Sequence, residues 1–377
     1  MHDRLPTLEP FLRRFHGIFG VSAAAAGLAI GCGGTGARQA PPAAPAAVPV
    51  TRAAPVAVAT RVASSAPERG VRLPMGRLSL VVMTSRTASL FHATDQLSHW
   101  SPFSHPQYAK WLPRADAAPV AEALLARQRV LRSRLGWGKG LEDALYTDDP
   151  DVGHALDVAV GAGLLAATDA REEKEILEGM APLLEVHLAE GSARATSLID
   201  RLRESTPSFA RLFDSWLVLA DVPPPSSLEI VFVPSPGRGT GGGGANGKAI
   251  VVELPEEGSV DPTMTTVAHE TIHAILRPRK AEMAAKAESC GHGLDTTTIG
   301  EGFAYATAPG LFSYGGTRRL EEGAERAEPG SAYRAFHEVA LALRPALRAK
   351  LGRTAPSGED FPALLDVICE AWKARSR

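Results

Sequence analysis

The sequence predicts an α+β fold, and three observations predict it. Short β-rich runs bounded by Pro and Gly stand at residues 78–83, 227–233 and 248–254, far apart in a chain of 377 residues. Between the first and second lie helical patterns near 117–136, 153–168, 171–189, 193–204 and 207–219. After the third, Asp261-Pro262 opens a helix and Arg277-Pro278 stops it, with apolar residues at helical spacing between them.

Taken in order, residues 78–83 and the run Ala88-Ser89-Leu90-Phe91-His92 are expected to form an initial hairpin. The long helical stretch from 117 to 219 reads as an insertion large enough to be its own subdomain. Residues 227–233 and 248–254 are expected to be neighbouring strands, the second of them the edge strand beside a cleft. Between them, Gly242 to Ala249 nearly matches a phosphate-binding loop. Ala249 stands where Ser or Thr would hold Mg²⁺, and a strand follows instead of a helix, so the segment reads as a glycine-rich loop that can border the cleft. The cluster His99-Trp100-Ser101-Pro102-Phe103-Ser104-His105-Pro106 reads as an aromatic loop or cleft wall, because two His six apart with no acid pair make a poor metal template.

The chemistry concentrates in His269-Glu270-Thr271-Ile272-His273. Residues four apart share one helical face, so His269 and His273 can aim at one cation while Glu270 stands beside it. An unrelated pair of histidines on an apolar helix would look the same in isolation. A second acidic motif, Gly300-Glu301-Gly302-Phe303-Ala304, can supply a third ligand. Three protein ligands leave one position for water, whose pKa Zn²⁺ lowers from about 15.7 toward about 7.

Together these two motifs resemble the gluzincin metallopeptidases, and Glu-Gly-Phe-Ala is especially similar to the aminopeptidase-N-like branch. The resemblance covers about a tenth of the chain, judged as a motif match and not a fold match. It implies a zincin-like, two-lobed metallopeptidase domain, one Zn²⁺ held by His269, His273 and Glu301, Glu270 as general base, and a peptide or protein substrate. The hairpin, strands and zinc helix would make the upper lobe, and the helices from Glu301 onward the lower. The spacer of 27 residues between His273 and Glu301 is longer than usual for that branch, so residues 279–297 read as an inserted loop. Were Glu301 not the ligand, His292, Asp295 or Glu288 would replace it. Gluzincins supply an oxyanion donor beyond the third ligand; Tyr305, Tyr314, Tyr333 and His337 are available here. The Gly-x-Met-Glu-Asn type motif that captures a free amino terminus is missing, which favours an endopeptidase.

At the amino terminus, Arg13-Arg14 precede a weakly apolar stretch to Ile30, and Leu28-Ala29-Ile30-Gly31-Cys32 resembles a bacterial lipoprotein signal with Cys32 lipidated. The expected organisation is a signal peptide over 1–32, a Pro/Ala-rich disordered tether over 33–74 and the catalytic domain over 75–377. The protein is then exported and lipid-anchored in the cell envelope, or alternatively secreted. Such a compartment permits a disulfide between Cys290 and Cys369, with two separate buried thiols as the other option. The 40 basic and 42 acidic side chains nearly cancel, so no electrostatic footprint for nucleic acid is present. Two other functions fit: an inactive zincin-fold protein, or a helical envelope lipoprotein, that binds a peptide or envelope component.

Overall fold

The computed structural model describes residues 70–375, apart from 102, 113–117, 139, 239–241, 246, 315–319, 354 and 356. Cys32 and the signal-peptide and tether readings up to residue 69 lie outside the described residues. The fold is α+β, mostly helical around a small mixed sheet. No helix among the described residues is long and apolar enough to cross a membrane.

Strand β1 (Val71–Met75) begins before the expected domain boundary and pairs antiparallel with β2 (Leu78–Thr84) across the turn at Gly76. This hairpin replaces the expected one. Residues 88–92 belong instead to helix α1 (Arg86–Ser98), whose N-cap Ser85 accepts from the Ala88 N–H and whose residues are nearly all buried. Burial on every side removed the amphipathic period that would have marked a helix.

Strand β3 (Leu228–Arg238) lies parallel to β2, and β5 (Ile250–Glu257) lies parallel to β3. The two-residue strand β4 (Gly243–Gly244) pairs antiparallel with β5 and completes the order β1-β2-β3-β5-β4. The expected edge strand is therefore interior, and the glycine-rich segment forms the edge. Ile250, Val252 and Leu254 are buried on one face and Val251 on the other, the near-continuous apolar character of a strand covered on both faces.

The described residues between β2 and β3 are mostly helical. They contain α2 (Ala118–Leu135), α3 (Leu141–Leu145), α4 (Val152–Gly161), α5 (Ala167–Glu204) and α6 (Thr206–Leu219). The two helices expected at 171–189 and 193–204 are one, α5, which runs on past Pro182 and Gly191. Its first half packs Ile176, Leu177, Met180 and Leu184 into a helical core with α1 to α4. Its second half packs Ala195, Leu198 and Leu202 into the main core with the sheet. One helix thus packs into both cores.

Helix α7 (Asp261–Leu276) packs on the sheet through Met264, Val267, Ala268, Ile272 and Ile275. Asp261 and Pro262 occupy its first turn, one step inside the position read from sequence. The expected loop at 279–297 is mostly helix α8 (Lys280–Cys290), with Met283, Ala287 and Cys290 on its buried face. Next come α9 (Thr296–Thr307), α10 (Leu320–Arg326), α11 (Ala332–Lys350) and α12 (Asp360–Arg375). Cys290 and Cys369 form a disulfide, Cα to Cα 5.7 Å, tying α8 to α12.

Candidate metal centre

Helix α7 places His269 and His273 on one face, and α9 brings Glu301 to them. Asp295 starts α9 by accepting from the Thr298 N–H at 2.6 Å, which orients the turn carrying Glu301. A Cβ at Gly302 would lie 2.6 Å from Val339 Cγ1, so glycine there permits the close approach of α9 to α11. Phe303 is fully buried, stacked on Phe361 at 5.2 Å and edge-on to Trp216 at 5.7 Å. The motif after Glu301 is therefore the anchor that holds the acid in place.

The ligand-type atoms of His269, His273 and Glu301 all lie within 4.8 Å of one another. The closest separations are 3.2 Å between the two Nε2 atoms, 3.3 Å from His269 Nε2 to Glu301 Oε2, and 3.4 Å from His273 Nε2 to Glu301 Oε1. A tetrahedral ion with bonds of about 2.0–2.1 Å requires ligand atoms about 3.3 Å apart. The two Nε2 atoms have the spacing such an ion needs, and each faces a different oxygen of the Glu301 carboxylate at a similar distance.

The Ala308 carbonyl accepts from His269 Nδ1 at 3.0 Å, which assigns the Nδ1 proton and turns Nε2 toward His273 and Glu301. Burial works against a charged His269, but the hydrogen bond to Glu301, the charges of Glu270 and Glu301 and the Ala308 carbonyl raise its pKa to about 9. Burial likewise works against the Glu301 carboxylate, yet the two imidazoles hold it well below the usual carboxylate range. Burial pushes the Glu270 carboxyl up, against the lowering pull of His269 and His273.

These residues open on a cleft of about 710 Å³. Glu270 lines it directly beneath the edge strand: a Cβ at Gly243 would lie 2.6 Å from Glu270 Cγ. Tyr305 and Tyr333 also line it. Tyr305 stands edge-on to His269 at 4.7 Å, and the Tyr333 hydroxyl is raised in pKa by burial and by the charge of Glu301. His337 is buried behind them, its ring 4.4 Å from Tyr305 and its Nδ1 donating to the Tyr333 carbonyl at 2.7 Å. Tyr314 is turned to Ser205, whose hydroxyl bonds its own at 2.9 Å. Of the substitutes for Glu301, Asp295 is occupied as a helix cap, and neither His292 nor Glu288 lies within the ligand group. The expected aromatic loop supplies Phe103 and His105 as cleft wall.

One cluster is not evident in the sequence. Glu253, fully buried on β5, receives His92 Nε2 at 3.0 Å, His105 Nδ1 at 3.0 Å and the Gly242 N–H at 2.8 Å. Burial would raise its pKa, but the two histidines hold it far below the usual range. A lone acid inside the run Ile250-Val251-Val252-Glu253-Leu254 is the available signal, since a buried carboxylate must have partners.

Comparison with protein-family models, with curated proteins and with solved structures finds no match to this chain.

Proposed function

We propose that the chain is a zinc-dependent peptidase, exported and lipid-anchored, with a zincin-like arrangement of upper and lower lobes about the cleft. The observation that carries this reading is the convergence of His269 Nε2, His273 Nε2 and the Glu301 carboxylate, at closest separations of 3.2–3.4 Å, with Glu270 beside them under an edge strand. His269, His273 and Glu301 would hold the ion. Zinc, when bound, supplies Lewis acidity for the scissile carbonyl and lowers the pKa of water in its open position. Glu270 takes the water proton and returns it to the departing amine, and burial that raises its pKa suits it to both tasks. Tyr333, on the cleft and in the field of Glu301, is the oxyanion donor best placed of the four considered. An extended peptide adds to the outer edge of β4 by backbone hydrogen bonds.

The cleft favours an endopeptidase. Its acids among the described residues are Asp95, Glu253, Glu270 and Glu301. Asp95 pairs with Arg132 at 2.9 Å, Glu253 is filled by three donors, and the other two are assigned, which leaves none to capture a free amino terminus. The test is cleavage of a tryptic casein digest by the zinc-loaded protein, followed by mass spectrometry. Cleavage should vanish with a zinc chelator, and Glu270→Gln should lower kcat by about 10²–10⁴ while keeping the metal. Full activity in Glu270→Gln would overturn Glu270 as the base, and stoichiometric zinc with no cleavage would leave the alternative reading, a zinc-holding domain that binds a peptide or envelope component.

A further inference from the structure

The edge strand beside Glu270 consists of two glycines, and glycine is the residue least able to hold an extended conformation by itself. Its composition follows from where it runs. A Cβ at Gly242 would lie 2.5 Å from His105 Cε1, and one at Gly243 would lie 2.6 Å from Glu270 Cγ. The segment threads between an imidazole on one side and the proposed base on the other, where no side chain fits. It therefore needs an external hold, and Glu253 supplies one twice over. The Glu253 N–H donates to the Gly242 carbonyl at 2.9 Å, and the Glu253 carboxylate accepts from the Gly242 N–H at 2.8 Å. At the far end, Arg277 donates to the Ala245 and Gly247 carbonyls at 3.1 and 3.0 Å.

A metal or amine-binding role for the Glu253 cluster does not fit. His92 and His105 occupy opposite oxygens of the carboxylate, Oε1 and Oε2, and the group that meets metal-ligand spacing in the described residues is the one at Glu301. With three hydrogen bonds already accepted inside the protein, the carboxylate has little capacity left for a substrate amine. His92 is itself fixed, its Nδ1 lying 3.0 Å from the Tyr146 hydroxyl.

We infer that Glu253 is a positioning residue: held by His92 and His105, it pins Gly242 so that β4 lies against Glu270 with its outer edge presented to substrate backbone. This rests on the peptidase reading for its use, though the clamp itself does not. A clamp on the strand acts on peptide binding more than on the metal or the proton transfer, so its signature is a rise in KM with little change in kcat.

The test compares wild type, Glu253→Gln, His105→Ala and His105→Asn, each zinc-loaded. Asn places an amide N–H near the position of His Nδ1 and preserves the donor to Glu253. Peptide-resolved hydrogen exchange over 242–245 should quicken at least tenfold in Glu253→Gln and His105→Ala and stay near wild type in His105→Asn. On casein-derived peptides, the first two should raise KM about tenfold or more, with kcat within about threefold and zinc content unchanged, and Asn should restore KM. Unchanged exchange in Glu253→Gln overturns the clamp. Faster exchange with unchanged KM, or a fall in kcat alone, overturns its role in substrate binding. A wild-type protein that binds zinc and cuts nothing refutes the peptidase reading, and the exchange measurement still decides the clamp.

Discussion

Glu301 reaches the two histidines because its neighbours leave it no other place. Gly302 lets α9 close on α11, and Phe303 fills the core against Phe361 and Trp216. Phe303→Ala should therefore cost about 3–5 kcal/mol in denaturant unfolding, a core penalty unrelated to chemistry. Gly302→Ala should cost about 1–3 kcal/mol by overpacking against Val339, and should weaken zinc binding as Glu301 shifts. The two histidines of the cluster and Glu270 beside them were legible because helical spacing alone brings His269, Glu270 and His273 together. Glu253 was not, because its partners His92 and His105 lie 161 and 148 residues away in sequence and no local pattern links them. Tyr305, Tyr333 and His337 were legible only as a set, since their separate roles depend on which ring reaches the cleft.

At the scale of elements, strands β2, β3 and β5 and helix α7 followed from composition and period, and each error has its own cause. Helix α1 was taken for a strand because it is buried all round, and β5 was taken for the edge because two glycines do not look like a strand. Helix α8 was hidden in an expected loop, although Met283, Ala287 and Cys290 repeat at helical spacing. The disulfide that ties α8 to α12 closes 79 residues of chain. Cys369→Ser should lower unfolding free energy by roughly 2–4 kcal/mol, read as a shift of the denaturation midpoint that reductant reproduces in wild type.

Across the whole molecule, α5 joins a helical core to the sheet core, and the polar groups buried in the helical core make stability depend on pH. Burial raises the pKa of Glu173 to about 8 from an ordinary value of 4.5. Between those values the folded chain holds a proton that the unfolded chain has released, so stability falls as pH rises through this window and levels off above it. Glu173→Gln should flatten that slope and raise Tm near pH 8 by about 2 °C or more relative to wild type. Such a core supports the cleft but does not define its chemistry, which in the proposed function depends on one ion meeting two imidazoles and a carboxylate. X-ray absorption at the zinc edge of the metal-loaded protein tests that most directly. The account predicts one zinc per chain, with a first shell of nitrogen and oxygen at about 2.0–2.2 Å that is lost in Glu301→Ala. Absence of stoichiometric zinc, or a shell unchanged in Glu301→Ala, would contradict it.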